Sequence, residues 1–576
     1  LLVFFSKFAQ IIFMKKKLLI IIVLTLYNGA TAQYTDINII KEIKVKNKGV
    51  VVSAHPLASE AGSRILKLGG NAFDAAIATQ LALAVVYPQA GNIGGGGFLV
   101  AVTSDGKKLA LDYRETAPSK ASFDMYWDQK GNASTDLSQG GRLAVGVPGS
   151  ISGMFETMKY AKLPFSKLIE PAIDLAKKGF AITEQEAGLL NRHRSEFLKH
   201  NKTKIAFVKE QDWKAGDLLI QPELAETLRR IQKAGEKEFY QGKTAQLIVS
   251  EMKSGNGIIQ FQDLKSYKTK ERKALTFDYK GHQIVSMPLP SSGGVLLAQM
   301  LKMAAYEDLS KYQLNSGEAV QIMVEAERRA YADRAEYMGD PDFTEDKTAM
   351  LISEGYLKSR WKSYDPNLAT PSKNIGKIIH AQKESMETTH ISILDRFGNA
   401  VSVTTTLNGL YGSKTVVSGA GFLLNNEMDD FSIKPGVPNM FGAVGGEANK
   451  IEPGKRMLSS MTPTIVLKDN RVKMVVGTPG GTTIPTSVFQ AIVDVIDFRQ
   501  NANFSVNAPK FHHQWLPEVI KVEENFPDTT IKSLEKKNYK FETIKQIGRT
   551  EMILIDDHQN IHAVADGRGD DSVGVE

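Results

Sequence analysis

The sequence predicts a layered fold of mixed class, α/β or α+β, with sheets supplied by both halves of the chain and helices mainly by the first. Three observations carry that expectation. Helix signals crowd the span 148–364, and a nearly all-apolar helical stretch at 72–86 has to lie buried. After residue 388 a two-residue alternation returns in the form of a hairpin.

In chain order, residues 50–54 read as a short strand. Ser59 is expected to cap a helix that runs to Leu68, where Gly69 and Gly70 stop it. The apolar helix 72–86 follows, with Pro88 just past its end. The four glycines 94–97 let backbone pass close to a neighbour ahead of a strand at 98–102. Further on, 318–331 has helical spacing, with Ser316 as its cap. Residues 364–387 are polar, broken by Pro366 and Pro371, and show no period. Residues 390–394, a turn at 395–399 and 400–406 then make the hairpin.

The N-terminal region has the three parts of a secretory signal. Met14 is the first methionine; Lys15, Lys16 and Lys17 are the charged part, 18–26 the apolar core, and Ala30-Thr31-Ala32 the small-residue cleavage site before Gln33. The apolar run is short of the ~20 residues a spanning helix needs. The expectation is a signal peptide at 14–32, with 1–13 as upstream sequence foreign to the protein, and an exported product, periplasmic or secreted. Residues 1–32 hold four lysines and no acid, so the formal charge of +7 falls to +3 without them. A nearly balanced chain gives no argument for nucleic-acid or membrane partners. With no cysteine, neither a disulfide nor a thiolate nucleophile is available.

Thr388 stands at the lip of the hairpin's first strand, after the aperiodic segment. A cut between Glu387 and Thr388 would make it an N-terminal residue with its own base, because an α-amino group has a pKa near ~8 and can take the hydroxyl proton at neutral pH. On its own, a strand-edge threonine pair is usually only a good β-former.

The surrounding residues add a family resemblance. Thr388-Thr-His390, Thr406-Leu-Asn408, Leu423-Leu-Asn-Asn-Glu-Met-Asp-Asp-Phe431, Lys455-Arg-Met-Leu-Ser-Ser-Met461 and Thr478-Pro-Gly-Gly481 resemble blocks of the gamma-glutamyltransferases, self-processing N-terminal-nucleophile hydrolases. So do Gly69-Gly-Asn-Ala-Phe-Asp-Ala-Ala76, Gly94-Gly-Gly-Gly-Phe98, Asp112-Tyr-Arg-Glu-Thr-Ala-Pro118 and the block 507–517. These blocks occur in the family's order along nearly the whole mature chain.

The resemblance implies a four-layer αββα sandwich built jointly by two cleavage products, a large subunit 33–387 and a small catalytic subunit 388–576. It implies that Thr388 is the nucleophile, that the Thr406 hydroxyl supports it, and that Gly480 and Gly481 donate backbone N–H groups to an oxyanion. It assigns Arg114, Ser459 and Ser460 to a substrate carboxylate, and Asn408, Glu427 and Asp430 to its ammonium. Position 427 varies between Gln and Glu in the family. The segment 435–446 resembles a lid, with Phe441 where many bacterial relatives place tyrosine. The implied partners are glutathione, other γ-glutamyl amides and amino-acid or dipeptide acceptors. The pattern implies no cofactor and no metal: His512 and His513 are adjacent, diverge on a strand and have no companion ligands at metal spacing. Two rival functions stand beside this one, a glutaryl or cephalosporin acylase of the same superfamily and an exported, non-catalytic binding protein. The first lacks an α-ammonium to justify Asp430 and Glu427, and the intact Thr388 argues against the second.

Overall fold

Side-chain parity along the strands builds the layers. The structure is a computed structural model that describes residues 38–376, 388–434 and 445–576. Residues 1–13, the segment 14–32 expected to be a signal, Glu387 and Phe441 lie outside the described residues. Before residue 388 the two large sheets receive seven strands: β1 (Glu42–Val45), β2 (Val50–Ser53), β3 (Gly96–Val102), β4 (Lys108–Asp112), β5 (Lys270–Arg272), β6 (Leu275–Tyr279) and β7 (His282–Ser286). After it come β8 (Thr389–Leu394), β9 (Ala400–Thr406), β10 (Thr464–Lys468), β11 (Arg471–Gly477), β12 (Glu551–Ile555), β13 (Ile561–Val564) and β14 (Ser572–Val575). One sheet has the order β14-β2-β8-β9-β3-β4-β5 and the other β1-β13-β12-β11-β10-β7-β6. Every neighbouring pair in them is antiparallel.

Each sheet thus interleaves strands from both sides of Thr388, as the family resemblance implied. Val50, Val52, Phe98, Val100, Ile465 and Val475 meet between the sheets in one core. Val51, Leu99, Ile391, Val401 and Val403 point the other way, to helices that include α1 (Pro56–Lys67) and α2 (Ala72–Val86). On the far side Met474, Val476 and Met552 pack under α4 (Gly293–Ala304), α5 (Gly317–Tyr337) and α6 (Ile484–Ile496); α3 (Glu184–Arg192) belongs to the first helical layer. The result is the αββα sandwich, with alternation of period two assigning each strand residue to its layer.

Most expected elements are present, with altered ends. α2 occupies 72–86, closed at its start by a capping box in which the Asn71 side chain accepts from Asp74 N and the Asp74 carboxylate accepts from Asn71 N. α1 begins at Pro56, three residues before the expected cap. His55 caps it through Nδ1, which accepts from Leu57 N at 3.2 Å, and Pro56 fits the first turn because its missing N–H has no partner there anyway. Ser59 lies inside the helix and donates to Ser572 O at 2.7 Å, tying α1 to β14. β3 starts at Gly96 rather than 98, and α5 runs to Tyr337, past the expected end, from its cap at Ser316. No helix among the described residues is long and apolar enough to cross a membrane.

Candidate active site

Thr388 immediately precedes β8, and the register of the hairpin fixes its neighbour. Thr389 pairs with Thr405, so one step further along the ladder sets Thr388 beside Thr406. Both belong to the parity that faces the opposite sheet, and both are buried. Thr406 is held from two sides. Asn408 N donates to its Oγ1 at 2.8 Å, and Asn92 Nδ2 donates to its carbonyl at 2.8 Å. Asn408 takes φ +75°, a left-handed conformation that asparagine tolerates better than most residues. That turn returns the chain under the threonine.

The glycine pair reaches Thr388 because β11 ends in a residue without a side chain. A Cβ on Gly477 would lie 2.1 Å from His390 Cε1, so only glycine lets the two sheets close at this point. His390 is fully buried between Thr404 Oγ1 (2.8 Å) and Ser392 Oγ (3.1 Å), and burial pushes its pKa down to about 3, so it is a neutral hydrogen-bonding spacer. Beyond Gly477 the chain turns through Gly480 (φ +137°) and Gly481 (φ +54°). The Gly480 carbonyl is turned away, accepting from Thr483 N at 3.0 Å and Thr483 Oγ1 at 2.8 Å. Among the described residues, no hydrogen bond is formed by the N–H of Gly480 or of Gly481. A single tight turn, Gly481–Thr483, leads straight into α6, so the positive end of a 13-residue helix lies behind these amides.

One small cavity gathers the rest. Arg114, Thr388, Thr406, Asn408, Glu427, Asp430, Ser459, Ser460 and Gly481 all line it. Gly480 lines an adjoining cavity that shares Thr388 with the first. Arg114 is anchored by its Nε donating to Met457 O at 3.2 Å and by Nη2 donating to Leu458 O at 3.3 Å. Ser459 is fixed through its backbone, which donates to Pro290 O at 3.0 Å and accepts from Ser292 N at 2.8 Å.

The sequence assigned Arg114 to a carboxylate and Glu427 with Asp430 to an ammonium, as separate subsites. The structure joins them. Arg114 Nη1 pairs with Glu427 and Nη2 with Asp430 at 2.5 Å, while Glu115 lies 4.0 Å from Nη1. A guanidinium as deeply buried as this requires partners of opposite sign. Burial works against the Arg114 charge, but Glu427, Asp430 and Glu115 outweigh it and hold its pKa above the ordinary guanidinium value. Burial also drives Glu427 upward and raises Glu115 to about 7.

Arg334 also lines the cavity, and the sequence reading missed it. It sits in the last turn of α5, three residues past the expected helix end, and its Nε donates to Ser292 Oγ at 3.1 Å. Burial depresses its pKa. Continued helical spacing beyond Tyr331 was the available signal. His512 lies apart from the cavity, bonded to Thr486 Oγ1 (2.9 Å) and Gln514 Oε1 (2.8 Å). Among the described residues no group of three or more His, Asp or Glu side chains is arranged to hold a metal ion.

Two stacked antiparallel sheets with a threonine at the mouth of an inner strand define the architecture of the N-terminal-nucleophile hydrolases. Within that class, the Gamma-glutamyltranspeptidase family model matches residues 58–575, and the chain belongs to this family. The glutathione hydrolase proenzyme of Escherichia coli strain K12 is 45% identical over 531 residues, which cover 91% of each chain. The crystal structure of Helicobacter pylori gamma-glutamyltranspeptidase is 44% identical with a TM-score of 0.55, covering 60% of this chain and 96% of that one. A cephalosporin acylase from Bacillus halodurans superposes with a TM-score of 0.80 over 94% of this chain and 98% of its own, at 24% identity, a likeness of fold.

Proposed function

We propose that this chain is a self-processing gamma-glutamyltransferase and glutathione hydrolase whose nucleophile is Thr388. The observation that carries the assignment is the convergence, in one small cavity, of Thr388, Gly481 and a cluster that has both signs of charge. A γ-glutamyl head group is a zwitterion, and Arg114 with Ser459 and Ser460 supplies donors to its carboxylate. Asp430, Glu427 and Asn408 supply acceptors to its ammonium. A glutaryl amide lacks that ammonium, so these acids would be unmatched in an acylase.

The first reaction is intramolecular. The Thr388 hydroxyl adds to the Glu387 carbonyl, the peptide C–N bond breaks as an ester forms, and water hydrolyses the ester to free residue 388 as a new N-terminus. The products, 33–387 and 388–576, stay interleaved because strands of both occupy each sheet. In turnover the α-amino group takes the hydroxyl proton as Oγ1 adds to the substrate's γ-carbonyl carbon. The oxyanion lies against the Gly480 and Gly481 amides, each worth roughly 3–4 kcal/mol of barrier in comparable sites. Collapse breaks the C–N bond, and the departing amine carries off the proton. Water or an acceptor amine then resolves the γ-glutamyl ester. The signal-like segment 14–32 supports export to the periplasm or the exterior.

The test is direct. Purified protein on a denaturing gel should separate into two chains, with the smaller beginning at Thr388 by N-terminal sequencing, and should cleave γ-glutamyl anilide and glutathione far faster than glutaryl anilide. A single chain, or a preference for the glutaryl substrate, overturns the assignment.

A further inference from the structure

Besides the two large sheets there is a small one of three strands, Phe511–His512, Ile520–Glu523 and Phe541–Ile544. The first pair is antiparallel and the second parallel, with His512 opposite Lys521 and Ile520 opposite Phe541. This register brings His513, which follows the first strand, and Lys540, which precedes the third, to the same end, on either side of Ile520. The segment 369–373 crosses that end. Ala369 N donates to Lys537 O at 2.8 Å, Ser372 Oγ donates to Trp515 O at 2.7 Å, and Trp515 Nε1 donates to Ser372 O at 2.9 Å. Together with Arg328 of α5 these pieces enclose a cavity that shares no lining residue with either cavity at Thr388.

Its lining is rich in donors. Arg328, Lys373 and Lys540 bring three cations against one acid, Glu518. That acid is already engaged: it accepts from Ser372 N at 2.8 Å and lies 3.3 Å from Arg328 Nη1. Arg328 is buried and fixed by donating to Ser372 Oγ at 2.8 Å. Lys373 and Lys540 form no ion pair or hydrogen bond through their side chains among the described residues.

His513 adds an independent sign of a ligand. It is 1% exposed, and its Nδ1 accepts from Trp515 N at 3.1 Å, which puts the proton of the neutral ring on Nε2. Burial, with Arg328 and His512 nearby, holds its pKa well below the ordinary value, so the ring is neutral. Yet Nε2 has no hydrogen-bond partner among the described residues. A buried N–H without an acceptor is costly, and such groups mark places where a partner is missing.

We propose that this cavity is an anion-binding site, separate from the candidate active site, that takes a small multivalent oxyanion of the phosphate class. His513 Nε2 donates to one of its oxygens, Lys373 and Lys540 neutralise its charge, and Arg328 supplies a fixed positive charge beside it. Two uncommitted lysines match a dianion better than a single carboxylate. Arg328 and Lys373 precede Thr388 in the chain, whereas His513 and Lys540 follow it. The bound anion therefore clamps the two sides of the proposed cut, and its effect is on cohesion rather than on turnover.

The experiment is titration calorimetry of the wild-type protein with inorganic phosphate and, separately, with glycerol phosphate, at an ionic strength held constant with sodium chloride. One saturable site per chain is expected. Tighter binding of the free anion or of the monoester tells which source the site favours, and either supports the proposal. Lys373→Ala with Lys540→Ala should weaken binding at least about 10-fold, the scale of lost charge-assisted bonds. His513→Asn, which keeps an acceptor for Trp515 N but loses the Nε2 donor, should weaken it about as much. Phosphate should raise the Tm of the wild type by about 2 °C at a hundredfold excess over Kd, and leave that of the double lysine variant unmoved. Circular dichroism in phosphate-free buffer identifies a variant that has not folded; should His513→Asn be one, the lysine variant, altered at exposed positions, decides alone. Absence of saturable binding to the wild type, or an affinity unchanged in the folded variants, overturns the site.

Discussion

Arg114 Nη2 lies 2.5 Å from Asp430 Oδ2, so the group suited to a substrate carboxylate and the group suited to its ammonium are direct partners in the structure. The two come from distant parts of the sequence, 316 positions apart. On the proposed assignment, a zwitterionic head group entering this site would exchange both partners together, its carboxylate taking the guanidinium and its ammonium the acid, with no buried charge left unmatched.

That exchange predicts how Asp430→Asn behaves. The variant should lose kcat/KM on γ-glutamyl amides by an amount corresponding to about 2–5 kcal/mol, the cost of removing one partner of a desolvated ion pair. Glutaryl amides, which carry no ammonium, should lose much less. Steady-state kinetics on the two anilides decide it; equal losses would mean that Asp430 only supports Arg114.

Thr388→Ala should accumulate as one unprocessed chain without activity, because in the proposed mechanism the cleavage and the acyl transfer use the same hydroxyl. Thr388→Ser should retain some of both. Intact mass spectrometry provides the readout, and an alanine variant still cut before residue 388 would refute self-processing.

Gly477→Ala should destabilise the sandwich by about 1–3 kcal/mol, the usual range for overpacking a well-filled core. The new methyl would meet His390 Cε1 at 2.1 Å and Nδ1 at 2.4 Å. Urea unfolding in the Thr388→Ala background, where a single chain unfolds, measures it. Combining it with His390→Ser should restore part of the loss, and no recovery would show that the strain lies elsewhere.

Glu115 should give stability a distinct pH dependence. Burial raises its folded pKa to about 7 from an ordinary value of 4.5, so the folded state keeps a proton that the unfolded chain releases. A raised carboxyl pKa contributes stability that is fully present below 4.5 and lost as pH rises through 7. Glu115→Gln removes that dependence. In the single-chain background, the stability of the Gln variant relative to its parent should rise between pH 4.5 and 7 by an amount on the order of 3 kcal/mol. A flat difference across that window would rule out titration of Glu115 there.

The sequence by itself determined the features written in local code. The apolar run of α2 and the hairpin that carries Thr388 and Thr406 were legible, because helical spacing, turns and alternation depend on residues a few positions apart. Ordered motif blocks likewise pointed to residues that gather around Thr388. Local code failed where a better local candidate had a distant commitment. Ser59 is a better cap residue than His55, but its hydroxyl belongs to Ser572, 513 positions away.

Only the tertiary structure decided the rest. The pairing of Arg114 with Asp430 and Glu427 and the raised pKa of Glu115 follow from burial, a property that no stretch of sequence carries alone. The requirement for glycine at 477 arises from the His390 ring on the facing sheet. Arg192 and Lys545 share no motif and come from opposite sides of Thr388, yet folding sets them around one cavity. Short-range spacing can specify which groups a strand or helix presents. Which groups then meet, and how strongly they perturb one another, is fixed when the two sheets close and water is excluded between them.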